Sequence, residues 1–172
     1  MSAIHAVCPH CGGINRLPSE RLAEKPSCGK CHKPVLDGVP VNLSSPGFDR
    51  FISKNDLPVV VDFWAAWCGP CRVSFPQLQL LRDDLGERGF EVLAVSVDEQ
   101  ASDAQAFLDE VPVTYPVVHD GEGVTPAVYG VLGMPTGYLI DRKGVVRDIH
   151  QGYRRSDGEK LRAKIVTLLG EE

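Results

Sequence analysis

The sequence predicts an α/β domain built on parallel strands, preceded by a small module held together by cysteines. Three observations carry this expectation. A β-branched apolar run, PVVVDFW (58–64), is followed by a stretch of helical spacing and then by a second apolar run, FEVLAVSV (90–97), which is the pattern of a strand–helix–strand unit with parallel strands. Six cysteines form three C-x2-C pairs, two of them within residues 1–40. Those residues are rich in Gly, Pro, Cys and Lys and poor in long apolar side chains, so they cannot build a sufficient core alone. The expected division is a module at 1–40 and a domain at 41–172.

In chain order, VLDGVPVNLSSPG (35–47) reads as a turn-rich connection and FDRFISKN (48–55) as a short helix capped near Ser45 or Gly47. The continuous apolar run 58–64 has the signature of a central strand buried on both faces. From Cys68 to about Arg88, Val73, Leu78, Leu81 and Leu85 recur near helical spacing, and Gly89 supplies the stop. Residues 90–97 form the second buried strand. SDAQAFLDEV (102–111) reads as a helix starting from a Ser cap, and YPVVHD (115–120) as a short strand. TGYLIDRKGVVRDIHQG (136–152) is two runs joined by an Asp-Arg-Lys-Gly turn, a β-hairpin. SDGEKLRAKIVTLLG (156–170) closes as an amphipathic helix.

Of 172 residues, 43% are hydrophobic and 24% charged, the composition of a globular chain with a core. The net charge of −5 divides unevenly: residues 1–40 carry five Lys/Arg against three Asp/Glu, residues 41–172 thirteen against twenty. Neither part has the basic footprint of a nucleic-acid binder. The N-terminus lacks a basic start followed by an apolar run of signal length, and no stretch reaches a membrane span. The expectation is a cytoplasmic protein with no membrane partner, in which cysteines serve as metal ligands or redox groups rather than as structural disulfides.

Cys8, Cys11, Cys28 and Cys31 give C-x2-C, sixteen residues, then C-x2-C, a spacing that suits a four-sulfur zinc site. Two knuckles each offer two thiolates, and closing the loop between them forms the tetrahedron that zinc accepts. The alternatives are two disulfides or four free thiols. A site closed by four sulfurs leaves no position for water, so the expected ion is one structural zinc, with no organic cofactor. Cys68 and Cys71 differ in setting. They lie between a buried strand and a helix, where the helix N-terminus stabilises a thiolate on Cys68, the expected nucleophile, while Cys71, a turn further in, is the expected resolving cysteine.

The segment VVDFWAAWCGPC (60–71) resembles the thioredoxin active site, and Met134-Pro135 ahead of TGYLID resembles that fold's Xaa-Pro, which in the family is cis and lies beside the cysteine pair. Residues 1–71 resemble the zinc-bearing thioredoxins of the thioredoxin-2 type. Residues 72–172, with FPQLQLLRDDLGERGFEVLAVSVDE and an additional helix and strand before GMPTGYLIDRKGVV, resemble the TlpA/ResA thiol-disulfide oxidoreductases. The chain reads as a chimera of the two. The resemblance implies a thioredoxin fold with a TlpA-like helix–strand insertion behind a zinc ribbon. It also implies a substrate-facing surface at Trp67, Gly69, Pro70, Met134 and Pro135, and a proton-relaying carboxylate at Asp62. Thioredoxins place a lysine on the next strand near that carboxylate, and EVLAVSV has none. ResA-like proteins place a carboxylate three residues after the second cysteine, where this chain has Ser74. Trp64 reads as core, Arg72 and His119 as solvated surface. The activity implied is reduction of disulfides in protein substrates, with electrons from a thioredoxin-reductase-like donor. The alternatives are a dedicated redox partner of particular proteins, or a zinc-dependent binding or redox-switch module.

Overall fold

A computed structural model describes residues 3–8, 10–18, 21, 24, 26–35, 41–42, 45–54 and 56–170. The expected domain junction adjoins residues 36–40, which lie outside the described residues.

The second and larger part is organised around one strand. A mixed sheet of six strands has the spatial order β3 (Val41–Asn42), β6 (Val117–His119), β5 (Glu91–Ser96), β4 (Val59–Trp64), β7 (Thr136–Ile140), β8 (Val146–Gln151). The pairs β3·β6, β6·β5 and β5·β4 are parallel, whereas β4·β7 and β7·β8 are antiparallel. Every residue of β4, Asp62 included, is buried, as its largely apolar, β-branched run leads one to expect of a strand covered on both faces.

Its alternation sorts the core into two layers. Val60 and Trp64 face a cluster that includes Phe75, Leu78 and Leu85 of α2 (Cys71–Leu85), Phe107 of α3 (Ala101–Glu110), and Leu161 and Ile165 of α5 (Asp157–Gly170). Val59, Val61 and Phe63 face Phe48 and Phe51 of α1 (Ser45–Lys54), with Tyr129 of α4 (Val124–Tyr129) at the edge. Helix α2 ends in a 3₁₀ turn, Gly86–Arg88, and Gly89 stops it in the left-handed region at φ 95°, where a side chain is unfavourable.

The N-terminal hairpin pairs β1 (Ala3–Val7) with β2 (Ile14–Pro18). It does not stand apart. Val7 joins the cluster that holds Phe48 and Phe51, Leu57 joins the one that holds Ala6, Cys8 and Val35, and β1 packs on α1. The Asp56 N–H donates to the His5 carbonyl, and the His5 ring pairs with the Asp56 carboxylate.

Three elements differ from expectation. Helix α3 starts from Gln100, which makes no side-chain cap, and Ser102 lies inside the first turn. Helix α4 arises in VTPAVYG, where the apolar residues are too few and too spread to announce it, and all of its residues are exposed or half-buried. Strand β3 is a two-residue strand within the segment read as turn, held by parallel pairing to β6.

Trp64, Phe75 and Phe107 form a fully packed aromatic triad, with ring centroids 4.6, 4.7 and 5.0 Å apart. Phe107→Ala should therefore cost about 3–5 kcal/mol, measured by urea unfolding, and should shift Trp64 fluorescence in the native state.

Candidate functional site

Strand β4 delivers the chain into a tight loop, Ala65–Pro70, and the loop delivers it into α2. Cys68 precedes the helix, Pro70 takes the cap position with φ −61°, and Cys71 is the first helical residue. Pro70 stands just outside the helix, where its missing N–H costs nothing. Cys68 and Cys71 are joined as a disulfide. Cys68 is 3% exposed and Cys71 is fully buried, so Cys68 is the sulfur that faces outward. The Cys71 N–H is shared between the Cys68 carbonyl and Cys68 Sγ, each at 3.2 Å, so a backbone donor of the helix N-terminus is directed at the sulfur that would carry negative charge on reduction.

Trp67 is 74% exposed, and Gly69 and Pro70 are exposed beside it. The Met134–Pro135 peptide is cis and leads directly into β7. Met134 packs against the core cluster that contains both cysteines, while Pro135 is buried and its carbonyl accepts the Gly152 N–H at 2.8 Å. Val128 and Leu132, 79% and 89% exposed, add apolar surface on α4 and the loop after it.

The two outer pairs meet at the other end of β1. Cys8, Cys11, Cys28 and Cys31 place their sulfurs within 4.8 Å of one another. The Cys8–Cys31 and Cys11–Cys28 sulfurs are each 3.7 Å apart, against the edge of about 3.8 Å that Zn–S bonds of about 2.3 Å give in a tetrahedron. The knuckles are built alike. Gly12 N–H donates to Cys8 O and His32 N–H to Cys28 O, and the residues after the second cysteines, Gly12 and His32, both have φ near +60° (65° and 60°). A side chain on Gly13 would meet Cys11 Sγ at 3.2 Å and Cys28 Sγ at 3.5 Å. The four thiols fit a tetrahedral ion, and their protons must leave for it to bind. Among the described residues His5, His10 and His32, the histidines near these cysteines in sequence, are not in the cluster.

A family model described as Redoxin matches residues 37–165, and one described as Thioredoxin 2, N-terminal, matches residues 7–33. The chain belongs to the Redoxin family. Among relatives of this Redoxin chain, Thioredoxin C-3 of Corynebacterium nephridii is 50% identical over 70 residues, 41% of this chain and 48% of that protein. Thiol-disulfide oxidoreductase ResA of Oceanobacillus iheyensis is 39% identical over 94 residues, 55% of this chain and 49% of that protein. The chain thus spans about half the length of the curated relatives it matches. A solved Chlorobium tepidum structure, described as a thiol:disulfide interchange protein DsbE, superimposes with a TM-score of 0.66 at 46% identity, over 67% of this chain and 82% of that one. Both resemblances seen in the sequence are present, and the two family matches adjoin at residues 33–37.

Beneath the cysteines of this Redoxin chain lies Asp62, fully buried, with neither carboxylate oxygen hydrogen-bonded among the described residues. Burial pushes its carboxyl up to about 8, and only the Ser74 hydroxyl acts the other way. Ser74 is itself buried and donates to the Cys71 carbonyl at 3.2 Å. The neighbour of Asp62 on β5 is Ala94, so the absent lysine is replaced by a methyl group and no cation offsets the burial.

Sequence reasoning missed two residues that hold the sites in shape. Asp98, 3% exposed, accepts the Ala66 N–H on both oxygens at 3.0 Å and the Ser96 hydroxyl at 2.9 Å, fixing the loop just before Cys68. Asn15 accepts the Gly29 N–H at 2.9 Å and donates to Gly13 O at 3.0 Å, tying the two knuckles together. An Asp after SV and an Asn in a hairpin carry no motif that marks them. Arg72 is also less free than expected, pairing with Glu110 at 2.8 Å and lying over the Phe107 ring at 4.9 Å. His119 Nε2 meets the Asp98 carbonyl at 2.7 Å.

The Asp62 environment has a consequence for stability. The unfolded carboxyl releases its proton near pH 4, whereas the native one holds it to about pH 8. The native state therefore binds more protons across that window, and stability falls as pH rises through it. Asp62→Asn should match the parent near pH 4 and exceed it by on the order of a few kcal/mol at pH 9, in urea titrations of the oxidised protein.

Proposed function

We propose that this chain is a thiol-disulfide oxidoreductase that reduces protein disulfides through Cys68 and Cys71. The observation that carries the reading is the closed Cys68–Cys71 pair at the N-terminus of α2; it shares a core cluster with Val60 and Trp64, which flank Asp62 on the same face of β4, and burial raises the Asp62 carboxyl to about 8. In the reduced enzyme, Cys68 thiolate attacks one sulfur of a substrate disulfide, and the other substrate sulfur leaves as a thiolate. Cys71 gives its proton to Asp62 and attacks Cys68, which frees the second substrate thiolate and leaves the enzyme disulfide. The substrate is thereby reduced by two electrons and the enzyme oxidised by two. Asp62 is the one buried carboxyl on β4, and a pKa near working pH suits a group that must both take and return a proton.

Trp67, Gly69, Pro70, Met134 and Pro135 form the substrate-facing rim in this reading, extended by Val128 and Leu132. The exposed apolar side chains of Trp67, Val128 and Leu132 favour a narrower circle of protein partners as a second reading. Residues 1–40 act as a structural metal module and residues 41–172 as the redox domain. Cys8, Cys11, Cys28 and Cys31 would hold one zinc, whose role is to fix the two knuckles as a substitute for the core that this segment lacks. No organic cofactor is needed. Four thiols kept for a metal suit a reducing compartment, which supports a cytoplasmic setting with electrons from a thioredoxin-reductase-like donor. No described helix is long and apolar enough to cross a membrane.

Cys71→Ser should accumulate substrate proteins disulfide-linked to Cys68, because attack proceeds and resolution cannot. Cys68→Ser should accumulate almost none. Equal trapping by both variants on non-reducing gels would reject the assignment. Chelation should release one zinc per chain and open residues 1–40 to protease, while the Cys68/Cys71 pair keeps its dithiol chemistry. Retention of a protease-resistant N-terminal segment without metal would show that zinc does not support it.

A further inference from the structure

With a carboxyl raised to about 8, Asp62 is mostly protonated at neutral pH, so it must lose its proton to solvent before it can accept one from Cys71. It is fully buried and has no opening of its own. A route outward is therefore required, and the sheet supplies one. Asp62 pairs with Gly137 across β4·β7, and Gly137 pairs with His150 across β7·β8. The three residues form one row, with their side-chain directions on one face of the sheet. At the middle position there is no side chain. A Cβ added to Gly137 would lie 2.1 Å from His150 Cε1 and 2.4 Å from its Nε2, so the imidazole fills the space over the glycine and extends toward Asp62. Cross-strand neighbours have Cβ atoms about 5 Å apart, which brings His150 Nε2 to roughly the reach of one bridging water from the carboxyl.

The unpartnered atoms agree with this geometry. Among the described residues, the buried side-chain polar atoms without a hydrogen bond are both Asp62 oxygens, His150 Nε2, Tyr153 Oη and Trp64 Nε1. The Tyr153 ring stands 5.9 Å from the His150 ring, and the Asp62 charge reaches the Tyr153 hydroxyl. Buried polar atoms left without protein partners are where ordered water resides. On its outer side His150 lines a cleft of about 90 Å³ with Asp148, Tyr153, Asp157, Lys160, Leu161 and Lys164. Lys160, with a side chain 74% exposed, marks its mouth.

We propose that His150 is the residue through which Asp62 exchanges its proton with solvent. The inference rests on Asp62 being the base for Cys71. The Asp62 proton passes through one bridging water to the Nε2 lone pair of neutral His150, leaving Asp62 ionised. The imidazolium then releases its Nδ1 proton to water in the cleft. No electrons move and no bond other than those to hydrogen changes. The charged groups facing His150 are Asp148 on its own strand, Asp157, Lys160 and Lys164 on α5, and Asp62 across Gly137; Tyr153 faces it as a neutral phenol. Lys164 engages Asp148 at 2.6 Å and Lys160 engages Asp157 at 3.5 Å. Burial holds the ring below its ordinary value, so it is neutral at neutral pH and has a lone pair to offer. His150 is a relay residue that touches neither substrate nor sulfur.

The test uses full-length, metal-loaded protein and rapid mixing with insulin as the disulfide substrate, in weak buffer at pH 7. His150→Ala should slow resolution of the mixed disulfide about tenfold, a modest share of what general acid–base groups contribute, and should leave attack by Cys68 unchanged. Imidazole added to the solution should restore resolution, which loss of packing alone would not allow. Gly137→Ala, which displaces the ring, should slow the same step. Unchanged resolution in His150→Ala, or slowing that imidazole does not relieve, overturns the relay. Asp62→Asn run beside them separates the two ideas. If it slows resolution while His150→Ala does not, only the relay falls; if it has no effect, the base assignment falls and takes the relay with it.

Discussion

A strand with neighbours on both edges and packed cores on both faces can carry an ionisable group only at a cost, and β4 carries Asp62 in the middle of its length. The remaining architecture follows from that strand. Its even positions organise the layer under α2, α3 and α5, its odd positions organise the layer under α1, and its end sets the loop that delivers Cys68 to the helix N-terminus. The cost of the carboxyl is a proton held up to about pH 8, a range in which a group can both take and return a proton near neutral pH.

The two cysteine sites use sulfur for opposite purposes. In the N-terminal segment, two thiols from the hairpin loop and two from residues 28–31 are drawn to within 4.8 Å of one another. At α2 the sulfurs lie at the edge of a large aromatic core, and a backbone N–H is aimed at the outer one. The hairpin and the sheet are joined through shared apolar clusters and the contact of His5 with Asp56. Among the described residues the hairpin is thus anchored to α1 and to the Asp56–Leu57 segment that follows it.

Much of the site was legible because its residues lie close together in sequence. C-x2-C spacing is a local property, and so are the β-branched run of β4 and the helical spacing after Cys71. Asp62 falls inside that run, and its burial follows from the run being buried on both faces. What escaped notice depends on contacts between distant segments. Asp98 holds Ala66 across 32 residues of chain, and Asn15 reaches Gly29 across 14. The short helix α4 buries none of its residues, so no apolar periodicity marks it.

The sequence by itself determined the fold class, the two kinds of cysteine site and the position of the carboxyl, because each is written in residue type and short-range spacing. Only the tertiary structure decided what surrounds that carboxyl. Ala94, Gly137 and His150 come to its row from three other segments, through strand pairings whose register is set by how whole faces pack and not by any local signal. A glycine in one strand leaves room, a histidine two strands away fills it, and only the paired sheet brings the two together.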